Sequence, residues 1–242
     1  MIHIYYRHYN NTNSKHITLS GRPVWFSYEK CFQNFLSTIK DIEKVSFTVI
    51  MDGSVSCDWL NNYQHIFEND SYNLIEIEAG SDALSAGFMY RYIKERFEDG
   101  KIGDSDLIYL VENDYLHVEN WVDDVIDLYN TYHNIQYISL YDHNDKYFPQ
   151  YVDDMISRVY ATNTHHWRTI PSTCGTYIAK ADLLLEDIQD HINVVGDHNK
   201  WIYLSQTKQR FILTPIPGLS THCMEGLMSP TIDWEEINNI VK

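Results

Sequence analysis

The sequence predicts an α/β fold in which a central, mostly parallel sheet is flanked by helices and a small mixed sheet lies in the C-terminal half. Three observations predict it. Apolar, β-rich runs alternate with helical stripes through residues 2–140, and such alternation implies parallel strands joined by crossovers. The second half keeps its strands but loses the strict alternation, so an antiparallel strand or two belongs there. Hydrophobic residues make up 44% of the chain and aromatics 14%, enough apolar surface to offset ordering entropy and build a sizeable core.

Taken in order, "IHIYY" (2–6) reads as a strand. Residues 22–40 read as a helix, because Tyr28, Cys31, Phe32, Phe35, Leu36 and Ile39 recur at helical spacing behind Pro23. "VSFTVIM" (45–51) is a strand that stops at Asp-Gly-Ser, and "CDWLNNYQHIF" (57–67) a short helix. "NLIEIE" (73–78) is a strand ended by Ala-Gly-Ser-Asp, with a helix over 82–98. "LIYLV" (107–111) is the next strand; Val118, Trp121, Val122, Val125, Tyr129 and Tyr132 then fit one helical stripe, and "IQYISL" (135–140) is again a strand. Beyond it, strands are expected near 157–161, 174–179 and 210–214, and helices near 181–192, 198–206 and 233–241. No repeat, low-complexity tract or linker interrupts the sequence, so a single domain over 1–242 is expected.

The formal net charge is -16, which repels phosphate backbones and anionic membranes at long range and argues against nonspecific nucleic-acid binding. Cys31, Cys57, Cys174 and Cys223 form no C-x-x-C pair and suggest neither a zinc site nor a disulfide framework. The opening "MIHIYYRHYN" lacks the basic and apolar regions of a signal peptide, and no apolar run is long enough to span a bilayer. The expectation is a soluble, intracellular (cytoplasmic) protein.

Ligands of an open parallel sheet bind beyond the carboxyl ends of its strands. Acids collect there: Asp52 after the second strand, Asp82 after the third, Glu112 and Asp114 after the fourth, with Arg7 and His8 ending the first. Such a crevice suits a divalent cation and a polyanionic ligand together. The cation takes carboxylate and phosphate oxygens and offsets charge on a departing diphosphate. Taken alone, Asp114 reads better as a helix N-cap and Asp-Gly-Ser as a tight turn; together, at alternate strand ends, they favour a site.

These segments in this order resemble a glycosyltransferase of the GT-A (Rossmann-like) fold, closest in layout to family 2, over nearly the whole chain. "IHIYYRHYN" resembles the opening strand and nucleotide-contacting loop, "FTVIMDGS" the strand whose last aspartate, here Asp52, contacts the base, and "AGSDALSAGFMYRY" the loop and helix near ribose and pyrophosphate. "YLVENDY" resembles the D-x-D element, as an E-x-D form. "STCGTYIAKADLLLED" resembles the segment lining the sugar site, and "GDHNKWIYLSQ" the segment with an acidic residue and a helix of aromatic and apolar positions.

The resemblance implies a nucleotide-sugar-binding half over 1–116 and an acceptor-binding half over 117–242. It implies a Mn2+- or Mg2+-dependent, inverting hexosyl- or pentosyltransferase. The donor would be a nucleotide sugar, a UDP-sugar first of all, held by Arg7, Asp52, Asp82, Glu112 and Asp114. Asp114 and a late histidine, His222, would hold the metal, with Glu112 on ribose or a metal-bound water. Asp197 would be the catalytic base, with Glu186 and Asp187, read as solvated, as runners-up; a carboxylate in that role needs position more than tuning. Trp167 and Arg168 would contact sugar or acceptor. The acceptor would be a glycan or lipid-linked sugar; a hydroxymethylated DNA base, as in some viral transferases, is disfavoured by the charge. The Tyr- and Asn-rich composition is compatible with a viral or AT-rich source. Two alternatives stand beside this reading: a nucleotidyltransferase acting on a sugar phosphate, against which "YRHYNNTNSKH" lacks a glycine cluster, and a noncatalytic nucleotide-sugar-binding protein.

Overall fold

The computed structural model describes residues 1–10, 21–39, 43–152, 155–194 and 196–240, with no side-chain description at 151 and 152. The loop beyond Asn10, and the last residues of the first and terminal helices expected from the sequence, lie outside the described residues.

Eleven strands and seven α-helices are described. The strands are β1 (Ile2–Tyr9), β2 (Val45–Asp52), β3 (Tyr72–Ile77), β4 (Leu107–Glu112), β5 (Tyr115–His117), β6 (Tyr137–Ile138), β7 (Val159–Ala161), β8 (His166–Ile170), β9 (Tyr177–Lys180), β10 (Ile212–Ile216) and β11 (Ser220–His222). The helices are α1 (Tyr28–Ile39), α2 (Asp82–Glu98), α3 (Trp121–Thr131), α4 (Pro149–Val152), α5 (Ala181–Asn193), α6 (Asp197–Gln206) and α7 (Trp234–Ile240). Nine strands form one sheet in the order β3-β2-β1-β4-β9-β6-β10-β8-β7, and β11 pairs with β5 in a separate two-stranded sheet. The β3-β2-β1-β4 half is parallel. Beyond it β9 runs antiparallel to both β4 and β6, and β10 antiparallel to β8. The sheet is therefore parallel where the sequence alternates and mixed where it does not, as expected.

Alternation along the strands divides the core between two faces. Ile4 and Tyr6 of β1, with Phe47, Val49, Tyr109 and Val111, pack against Phe32 and Phe35 of α1 and Trp121 and Val125 of α3. Tyr5, Ile50, Ile108 and Leu110 turn the other way, onto Met89, Tyr90 and Ile93 of α2 and Leu184 and Ile188 of α5. Burial on both faces explains the near-continuous apolar runs of β1, β2 and β4.

Between β2 and β3 the expected short helix is 3-10 in character, over Val55–Cys57 and Trp59–Glu68. Three short strands, β5, β8 and β11, were not expected where they occur. β5 follows β4 after a two-residue turn, and α3 starts only at Trp121 behind Asn120, whose φ of 66° is left-handed. The N-cap reading of Asp114 is therefore excluded, since the helix begins seven residues later. β8 carries Trp167 and Arg168, in a stretch for which no element was expected, and β11 lies beyond the last expected strand.

Candidate active site at the carboxyl end of the fourth strand

Parallel pairing sets Arg7 of β1 in register with Glu112, the last residue of β4. Arg7 Nη2 donates to Glu112 Oε1 at 3.1 Å, and Nη1 donates to the Asp82 carboxylate and, at 3.3 Å, its carbonyl. Thr176, just before β9, closes the other side: its hydroxyl accepts from Glu112 N at 3.1 Å and donates to Oε2 at 3.3 Å. Gly175 lets the backbone come this close, since a Cβ there would lie 3.0 Å from Glu112 Oε1.

The second acid is served from two remote segments. β11 pairs antiparallel with β5, setting His222 opposite Tyr115, and Cys223 N donates to the Asp114 carbonyl at 2.9 Å. The His222 ring stacks on Tyr115 at 5.2 Å between centroids and 12° between planes, with Nε2 3.1 Å from Asp114 Oδ2. Arg22, from the connection between β1 and α1, places Nη2 on the same oxygen. Asp114 Oδ1 is buried without a hydrogen-bond partner among the described residues.

The two acids shift in opposite directions. Burial pushes the Glu112 carboxyl up to about 7; Arg7 pulls it down, but Asp114 and Asp197 add negative charge against it. Burial also pushes Asp114 up, yet the His222 hydrogen bond and charge and the Arg22 guanidinium outweigh it and hold the carboxyl down at about 2.

The other expected site residues divide. Asp197 is the first residue of α6, 42% exposed, with Lys200 Nζ 3.5 Å from its Oδ1, and its charge acts on Glu112. Asp82 caps nothing, since Ser81 is the N-cap of α2; its exposed carboxylate holds Arg7. Asp52 is not brought to the cluster. It is buried, and its Oδ1 accepts from Ala79 N at 2.9 Å and Gly80 N at 3.2 Å, while Oδ2 is buried without a partner among the described residues. The turn after it requires glycine: Gly53 has a φ of 112°, and a Cβ would fall 2.3 Å from the Asn10 carbonyl oxygen.

Trp167 is fully buried, its Nε1 donating to Thr162 Oγ1 at 3.3 Å. It has no face open to a sugar, contrary to the contact expected of it. Arg168 is buried too, donating to Asp142 Oδ1 at 2.8 Å over the Tyr147 ring, so it serves a side chain where a sugar or acceptor contact was expected. Asp187 is not solvated: it is buried and takes two bonds from Arg210, at 2.7 and 2.9 Å. Sequence reasoning missed Arg22, Thr176 and Gly175. Arg22 read as the start of a helix, and its partners lie 92 and 200 positions away.

Among the described residues no three His, Cys, Asp or Glu side chains come together as a metal-ligand set. Asp114 and His222 offer two donors, and both face the Arg22 guanidinium. Arg22 thus occupies the side of Asp114 Oδ2 and His222 Nε2 that a divalent ion would need, although phosphates and water would supply the rest of such an ion's shell. No helix among the described residues is long and apolar enough to cross a membrane.

No protein-family model matches the sequence, and no curated protein matches it. Solved structures match its fold. S. aureus TarS 1-349 is similar over 88% of this chain, at 11% identity and a TM-score of 0.50. A longer S. aureus TarS chain is similar over 88%, at 13% identity and a TM-score of 0.50. This chain spans 57% and 34% of those two chains' lengths. A 4-diphosphocytidyl-2C-methyl-D-erythritol synthase from Anaerococcus prevotii is similar over 99% of this chain and 95% of its own, at 9% identity and a TM-score of 0.48. At these identities the likeness to TarS is one of fold, and with the sheet order it defines a Rossmann-like α/β protein with its acidic cluster at the strand ends.

Proposed function

We propose that this chain is a transferase acting on a nucleotide-sugar donor and moving the sugar to an acceptor hydroxyl. One observation supports it above the rest: Arg7 on Glu112, and Arg22 and His222 on Asp114, converge from three separate segments on the two acids at the end of β4. That is the edge at which a parallel sheet binds nucleotides. Asp197, exposed at the first residue of α6, is the base. The acceptor O–H bond breaks and its proton passes to Asp197. The acceptor oxygen bonds the anomeric carbon, whose bond to the diphosphate breaks, and the electron pair leaves with the nucleoside diphosphate. Single displacement of this kind inverts the anomeric centre. A UDP-sugar is the first donor to try and a glycan the first acceptor; the -16 charge weighs against DNA.

A second reading, nucleotidyl transfer onto a sugar phosphate, is favoured by Arg22, a basic residue that follows β1 and reaches the strand ends. Asp197 favours the first reading, because an ionised phosphate nucleophile needs no base.

A thermal-shift screen of nucleotide sugars, with EDTA and with Mn2+, tests the common ground, since a ligand bound only by the native form raises its stability. A shift with at least one nucleotide sugar is expected; none under either condition rejects both readings. Release of nucleoside diphosphate from the hit then marks glycosyl transfer, and release of pyrophosphate from a nucleoside triphosphate with a sugar phosphate marks nucleotidyl transfer.

A further inference from the structure

The carboxylate and imidazole that would be asked to hold a divalent ion already hold a cation. Arg22 Nη2 donates to Asp114 Oδ2, and Nη1 donates to the Cys223 carbonyl at 2.9 Å and lies 3.1 Å from His222 Nε2. The Phe26 ring lies 4.9 Å from the guanidinium carbon. The side chains of Arg22 and Asp114 are each 13% exposed. A metal on Asp114 Oδ2 and His222 Nε2 would need the lone pairs that face Arg22 and would set a second positive charge against it. A guanidinium fixed by several contacts needs no reorganisation to meet an anion, and its planar fork suits phosphate oxygens.

We propose that Arg22 is the resident cation of this site and meets the donor's diphosphate in place of a divalent ion. The inference rests on the nucleotide-sugar reading above, and its test separates the two. Its physical content is that Arg22 and a divalent ion compete for Asp114 Oδ2 and His222 Nε2, the two atoms that Arg22 faces, while Asp114 Oδ1 has no partner among the described residues. Charge developing on the departing diphosphate falls on a side chain that cannot be removed by a chelator.

Two measurements test it on the full chain. Mn2+ is titrated into the protein and the free-ion signal followed by electron paramagnetic resonance; UDP, with GDP and dTDP in parallel, is titrated by calorimetry in EDTA and in Mn2+. Wild type is expected to leave Mn2+ free and to bind its nucleotide equally well in both buffers. Arg22→Gln is expected to lose about tenfold or more in nucleotide affinity in EDTA, the worth of one charge-assisted bond, to take up Mn2+, and to regain nucleotide affinity with it. Arg22→Lys, which keeps the charge, is expected to retain EDTA-resistant binding. Wild type that takes up Mn2+ as tightly as Arg22→Gln, or that loses about a decade of nucleotide affinity in EDTA, overturns the proposal. Should Arg22→Gln fail to fold, the wild-type comparison of EDTA with Mn2+ still decides it. Should no nucleotide bind any variant, the donor reading falls and the diphosphate role of Arg22 with it, while the Mn2+ titration alone decides whether Arg22 excludes the ion.

Discussion

Glu112 and Asp114 sit one residue apart at the same strand end, each facing an arginine, and they end in opposite states. Glu112 is raised to about 7 and Asp114 lowered to about 2. Burial pushes both upward, so the difference lies in their partners. Arg7 is shared between Glu112 and Asp82, and Glu112 also feels the charges of Asp114 and Asp197. Asp114 has Arg22 and His222 on one oxygen. One carboxylate is therefore locked as an anion, and its neighbour is poised to gain or lose a proton near neutrality. Adjacent acids with pKa values driven apart by their surroundings are what a site with divided roles needs.

The comparison breaks most visibly at the arginines. Arg22→Ala leaves the mostly buried Asp114 with His222 but without its guanidinium, and a loss of about 3–5 kcal/mol in urea unfolding at pH 7 is expected. Arg7→Ala is expected to lose only about 1–2 kcal/mol, because Glu112 answers by taking a proton. Equal losses would show that the two acids do not differ in this way.

Next in size is the pH dependence. An acid raised from 4.5 to about 7 on folding binds more protons in the native state across that window. Its stabilising contribution is present below pH 4.5 and lost as pH rises through 7, with a slope of at most about 1.4 kcal/mol per pH unit. Asp114 has the opposite sign and a lower window: its contribution is present above its ordinary value and lost as pH falls toward about 2. Glu112→Gln is thus expected to flatten the stability profile between pH 4.5 and 7 in a denaturation series, and an unchanged slope counts against it.

The smallest expected effect is steric. Gly175→Ala sets a methyl 3.0 Å from Glu112 Oε1 and is expected to lower stability by about 1–2 kcal/mol, as overpacking does. It should also shift the Glu112 titration in carboxyl NMR while leaving Asp114 in place. A variant as stable as wild type with both titrations unmoved would mean that this wall of the site gives way freely.

Much of the frame was legible in the sequence. α2 runs over Asp82–Glu98 as the pattern has it, because Ser81 supplies a cap that accepts from Leu84 N. β4 was plain because burial on both faces demands an unbroken apolar run. The acids at its end were legible for the same reason: carboxylates that stop a buried strand need a purpose or a partner. β5 and β11 escaped because three residues carry no period, and Tyr115–His117 merge by eye into the stripe that starts at Val118. Trp167 and Arg168 misled because a Trp-Arg pair carries no sign of which side is buried. Arg22 was invisible because its role is set by contacts with Asp114 and Cys223, far along the chain.

The most direct measurement is turnover of the donor found by the thermal-shift screen, compared between wild type and Asp197→Asn. The two are expected to bind the nucleotide sugar equally and to differ in stability by less than about 0.5 kcal/mol, as for an exposed substitution. Transfer by the asparagine variant is expected to fall about 100-fold or more, the usual contribution of a general base. Full transfer activity in Asp197→Asn would contradict the assignment of this strand-end cluster as the place where the acceptor is activated.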